Sequence, residues 1–228
     1  MKSEKKLKTA LALSATLLSG IANAAAIEIS SYDITDTRLS GTGGWSHNYD
    51  GSIINVGGAL NDYTDGSGTL NDGSVGTSTS NTHLFYVSDA STITLNFAES
   101  ASFNSLSLFS FGPTSNGIPG NITGLDITIN GITDSFLTTG FGPANPNANN
   151  GRDHSHEFLS LSGSLLEGLI SDTITLSGFT TEEPYSAFFS ISEIEADGDA
   201  ASVPVPGSVG LIGLGLLGLG LARRKMKA

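Results

Sequence analysis

The segment Arg152-Asp153-His154-Ser155-His156-Glu157 is the densest titratable cluster in the chain. In an extended stretch, residues two apart project to the same face, so the imidazoles of His154 and His156 could share one transition metal while Asp153 and Glu157 orient them. Two ligands do not make a site, and a His-x-His in a polar stretch otherwise serves as a solvated turn. His47 and His83 are the remaining histidines that could complete such a site. A second candidate is the run from Asn61 to Gly73. Asp62, Asp65, Asn71 and Asp72 there offer carboxylate and amide oxygens beside glycines, the ligand chemistry of a hard cation such as calcium. The run lacks the ligand spacing of an EF-hand, and ordinary Asx-turns account for the same composition. Nucleophilic catalysis has less to work with. No Gly-x-Ser-x-Gly elbow occurs, the chain has no cysteine, and Glu182-Glu183 before Pro184 reads as an exposed turn. We therefore expect no enzyme. Trp45, Tyr49 and Tyr63 could stack on sugar rings in a loop-end site or, equally, pack at strand ends.

The elements that must position these residues read as strands. Short alternating or β-branched runs separated by Gly, Ser, Thr, Asn and Asp predict strands at Ile27–Tyr32, Ser52–Val56, Thr82–Val87, Thr92–Phe97, Phe103–Phe111, Leu125–Ile129, Glu157–Leu161, Thr173–Leu176 and Ala187–Ile194. Only Ser164–Ile170 reads as helix. Many short strands joined by turns predict an all-β fold, a β-sandwich or jelly roll.

Charge narrows the partners. Of the ten Lys and Arg residues, four precede residue 9 and four follow residue 222, so the part between carries 21 acidic residues against two cations, Arg38 and Arg152. Its formal charge of −19 is harsher than the −12 of the whole chain. Such a surface repels phosphate backbones and excludes nucleic acid as a partner. With no cysteine there are no disulfides, and stability must come from burial and backbone pairing.

The two ends are built differently from the middle. Lys2 to Lys8 are followed by an apolar stretch to Ala22, and Ala22-Asn23-Ala24 supplies the small-x-small pattern of a signal peptidase site. Residues 1–24 thus read as a secretory signal peptide, cleaved after Ala24, which leaves residues 25–201 as one β-sandwich domain. Residues 202–228 open with Val203-Pro204-Val205-Pro206-Gly207, continue as an apolar Gly/Leu run from Val209 to Ala222, and close with the basic cluster Arg223, Arg224, Lys225 and Lys227. The 14-residue run is about 21 Å long as a helix, and counting from Val203 gives 20 residues, about enough for a single membrane span. Its basic end would stay in the cytoplasm.

A Pro-x-Pro-Gly motif, a Gly/Leu-rich span and an Arg-rich end together resemble the PEP-CTERM sorting signal. That resemblance implies transient membrane insertion, recognition by an exosortase-like transpeptidase, and display or release among extracellular polysaccharide. Val205 stands where the family has Glu, so the tail is either cut or kept as an anchor. In the body, Leu70-Asn71-Asp72-Gly73, the strand pair from Thr92 to Ser110 and the closing Phe189-Ser190-Ile191-Ser192-Glu193-Ile194-Glu195 resemble discoidin-like, galactose-binding-like jelly rolls. This second resemblance implies a binding module with ligand loops at one end of the sandwich and often a structural calcium. Three functions follow as expectations: an exported surface or biofilm-matrix structural protein, a carbohydrate-binding module, and, more remotely, a polysaccharide-active enzyme.

Overall fold

Alternation of β-branched and aromatic residues with small polar ones favours pleated strands, and in the computed structural model nearly every described segment is one. The described residues are 25–39, 44–111, 119–138, 154–181 and 187–201, with the backbone alone for Phe111, His154 and Ser155. They form β1 (Ala25–Ile27), β2 (Ile29–Arg38), β3 (Ser52–Gly57), β4 (Leu60–Gly66), β5 (His83–Tyr86), β6 (Thr92–Phe111), β7 (Ile122–Ile129), β8 (Ile132–Leu137), β9 (His154–Ser160), β10 (Ile170–Thr181), β11 (Phe188–Ile191) and β12 (Glu193–Ala200). Residues 1–24, where a signal peptide is expected, and residues 202–228 fall outside the described residues. No helix among the described residues is long and apolar enough to cross a membrane.

All pairings are antiparallel. One layer runs β3-β4-β2-β6-β10-β7-β8; a second runs β1-β12-β6-β9, and β5 pairs with β11 beside them. β6 belongs to both layers because it changes direction. Thr173 of β10 pairs with Asn96 and Ser171 with Ala101, so three residues of β10 span six of β6. The surplus is extruded as a bulge after Phe97, which itself still pairs with Ile29 of β2; such a bulge bends a strand and lets it pass between sheets. Six extended residues would separate Phe97 from Phe103 by about 20 Å, yet their rings lie 4.6 Å apart.

The register sends one set of side chains inward from each layer. Tyr32 and Ile34 face Leu95 and Ile93, which face Ile174 and Leu176, and Ile127 follows. From the second layer come Leu106 and Leu108, opposite Ala196 and Ile194, with Leu159 across from Leu106. All are buried in one contiguous apolar core. Burial therefore carries the stability, as a chain without cysteine requires. Among the described residues a single salt bridge appears, Arg38 to Asp89 at 2.9 Å, reinforced by the Arg38 guanidinium lying 4.3 Å over the Tyr86 ring.

Three sequence expectations need correction. Ser164–Ile170 is a series of turns, and β10 begins at Ile170; Gly163 and Gly168 take positive φ, which interrupts any helix. The two strands expected from Thr92 to Phe111 are one bulged strand. Two further strands, β4 and β8, sit where none was expected. β8 follows β7 through the two-residue turn Asn130-Gly131, both with positive φ, the geometry of a type I′ hairpin.

Candidate functional site

The cation loop expected from Asn61 to Gly73 divides in two. Asp62 and Asp65 lie on β4, where Asp62 Oδ1 accepts from the Asp36 amide at 2.9 Å and the Asp65 amide donates to Asp33 Oδ1 at 2.7 Å. The second half is a true turn. Asn71 Oδ1 accepts from the Gly68 amide at 2.9 Å, and its Nδ2 donates to the Ile29 carbonyl at 2.8 Å, so this side chain ties the turn to β2. Asp72 Oδ1 accepts from the Ser74 amide at 2.8 Å.

Against this turn stands a residue that the sequence reading did not single out as a ligand. Glu193 opens β12 and is 2% exposed, and its Oε2 has no hydrogen-bond partner among the described residues. Burial pushes its carboxyl up to about 8, and the nearby charge of Asp72 adds to the rise, while the backbone of Ser74 and Gly73 works the other way. A carboxylate so placed must either hold a proton or meet a cation. The clue in sequence was a charged residue inside Ser192-Glu193-Ile194, three consecutive buried positions. No group of three or more His, Asp or Glu side chains poised for a metal occurs among the described residues. A hard cation here would draw further oxygens from the turn's backbone carbonyls.

The histidines part company. His154 and His156 are on β9, in register with Phe111 and Phe109 of β6. His156 is exposed and stacks on the Phe109 ring at 4.5 Å. Asp153 lies outside the described residues, and Glu157 is buried, on the opposite face of β9 from His156. His47 and His83 instead stack on each other at 3.8 Å. They open a continuous ladder of rings: His83 to Phe85 at 4.1 Å, Phe85 to Phe189 at 4.9 Å, Phe189 to Phe179 at 4.5 Å. His47 Nε2 lies 3.1 Å from the Tyr63 hydroxyl and His83 Nε2 3.4 Å from Thr37 Oγ1, while neither Nδ1 has a partner among the described residues. Burial pushes His47 down to about 4 and His83 well below the usual histidine range, the latter also because of its neighbour. Both rings are neutral core members.

The aromatics considered for sugar stacking are core members too. Trp45 is 5% exposed and Tyr63 1%, and burial pushes the Tyr63 phenol up to about 12. Tyr49 is half-buried, and its hydroxyl donates to the Tyr32 carbonyl at 2.9 Å.

With the geometry in place, the chain is an all-β sandwich whose residues 202–225 match the PEP-CTERM protein-sorting motif. That motif marks an exported protein, held at the membrane through its C-terminal region before processing by an exosortase. No curated protein matches the sequence. Among solved structures, the chain is similar to the family 32 carbohydrate-binding module of C. perfringens NanJ in complex with galactose. The identity is 16% over 57% of this chain and 82% of that one, with a TM-score of 0.35. It is also similar to the CBM32-2 module of GH31 bound to GalNAc, at 14% identity over 66% of this chain and 96% of that one, with a TM-score of 0.34.

Proposed function

We propose that this protein is a structural component of the bacterial cell surface or extracellular, exopolysaccharide-containing matrix, delivered by an exosortase-type system, and not an enzyme. The observation that carries this reading is the position of the sorting motif. It begins at residue 202, two residues after β12 closes the sandwich, so the tail can be cut or anchored without touching the core. Removal of residues 1–24 by signal peptidase would leave Ala25, the first residue of β1, as the new terminus. Ala25 pairs with Gly198, so both processed ends would leave from adjoining strands of one edge. The rival reading, a loop-end sugar pocket, gains nothing from Trp45 and Tyr63, because their faces are spent on the core.

The test is intact mass of the protein recovered outside cells. The expected species starts at Ala25 and lacks the Gly/Leu run and the basic end. Full-length chain confined to the cytoplasm would refute export.

Calcium at the Asp72 turn is a second element of the proposal. The orphaned Oε2 of buried Glu193 fits a cation there, and Asp72 and Glu193 would hold it. The ion would supply charge neutralisation and stiffen the turn that joins β4 to the core.

A further inference from the structure

The outer face of the second layer carries an arrangement that none of these readings uses. Short of Phe109, β6 contributes only the small Ser105 and Ser107 to that face, while Glu195 and Asp197 stand on one side of them and Phe158 on the other. In register, Asp197 of β12 lies opposite Ser105 and Ser105 opposite Ser160 of β9; two residues along, Glu195 lies opposite Ser107 and Ser107 opposite Phe158. Ala26 of β1 extends the first row beyond Asp197. Two serines in the middle strand, with the carboxylates on one flank and Phe158 on the other, make a trough, since neighbouring strands stand about 4.8 Å apart. The resulting cavity has a volume of about 540 Å³, within the range of small-molecule sites.

Its lining is chemically specific. Phe158, 59% exposed, presents a bare aromatic face along one wall, and Glu195 and Asp197 present carboxylates along the other. Among the described residues these two carboxylates have no hydrogen-bond partner and no cation beside them, and the only salt bridge is elsewhere, at Arg38. Ser105 is 5% exposed, lines the cavity, and its hydroxyl has no partner among the described residues. That hydroxyl opens into the cavity, where it can bond a ligand or water. Carboxylates facing an aromatic ring recognise an ammonium group: the ring attracts the cation through its quadrupole and the carboxylates through charge-assisted hydrogen bonds. The body's formal charge of −19 repels acidic ligands and draws cationic ones to the same place.

We infer that the trough between β12 and β9 binds a primary-ammonium ligand, with the amine between Asp197 and Glu195 and its stem along Phe158 and Ser105. The amine could come from an amino sugar or from a lysine side chain, which share this chemistry. The inference does not depend on the proposed export.

The test uses the purified full chain at 0.15 M salt, titrated by NMR or calorimetry with glucosamine and with lysine amide, and with their N-acetylated forms (N-acetylglucosamine and Nε-acetyl-lysine amide). Saturable binding is expected for at least one free amine, weakened at least about tenfold by acetylation and by Asp197→Asn. Phe158→Ala, a change at an exposed side chain, should weaken binding several-fold and leave the melting curve in place. Preference between the two amines identifies the source. Equal binding of free and acetylated forms, no saturation by either amine, or affinities unchanged in both variants would overturn the inference. None of these outcomes bears on whether the ends are processed, which the mass measurement reads separately.

Discussion

Lowering the pH from 7.5 to 5.5 should cost the wild type, at His47, stability that a variant without that ring keeps. His47 stacks at 3.8 Å on His83, and burial holds its protonation near pH 4 against an ordinary value of 6.5. Because the folded value is depressed, the unfolded chain takes up the proton first. The contribution is full above pH 6.5 and is lost as pH falls from there toward 4. Linkage puts the loss from His47 alone at about 1.4 kcal/mol by pH 5.5 and about 2.6 kcal/mol by pH 4.5. His83, buried and shifted in the same direction, adds to it. Glu193 slopes the other way over the same range: its carboxyl is raised from 4.5 to about 8, so its contribution is full below 4.5 and lost as pH rises toward 8, and the difference between variant and wild type, not the wild-type profile alone, reads His47. Urea unfolding of the wild type and of His47→Phe at pH 7.5, 6.5, 5.5 and 4.5 isolates the histidine. Phe keeps the stack and cannot protonate, and burial, the larger cause at His83, stays in place in the variant. The variant should be favoured over the wild type by about 1.3 kcal/mol more at pH 5.5 than at pH 7.5. Parallel pH profiles, or an NMR titration placing the His47 ring near 6.5 in the folded state, would refute the argument.

Leu106→Ala should lower stability by about 2–5 kcal/mol, because the side chain is fully buried between Leu159 and Ala196; an unchanged denaturation midpoint would contradict the two-layer core. Calcium at about 1 mM should raise the melting temperature by a few degrees, from a gain of about 0.4–1.4 kcal/mol for an extracellular-type site. The gain should be larger at pH 8 than at pH 6, where Glu193 holds its proton, and should vanish in Asp72→Asn. Equal responses to calcium and magnesium, unchanged in that variant, would mean simple screening.

The fold class was legible in the sequence because strand patterning is local. Ile93, Leu95 and Phe97 alternate with Thr and Asn, so their face was evident before any partner was known. The sorting tail was legible for the same reason: its motif, apolar run and basic end are contiguous, and a processing machine reads them as such. β4 was missed because Asn61, Asp62 and Asp65 have turn chemistry in isolation, and only pairing with β2 and β3 makes them a strand. The chemistry of the site was hidden more deeply. Asp72 and Glu193 are 121 positions apart, His47 and His83 are 36 apart, and Ser105, Phe158 and Asp197 come from three different strands. Nothing in a residue's near neighbours says which distant side chain will share its burial. Burial sets the protonation of Glu193 and His47, and cross-strand register sets the walls of the trough, and both are decided by tertiary pairing.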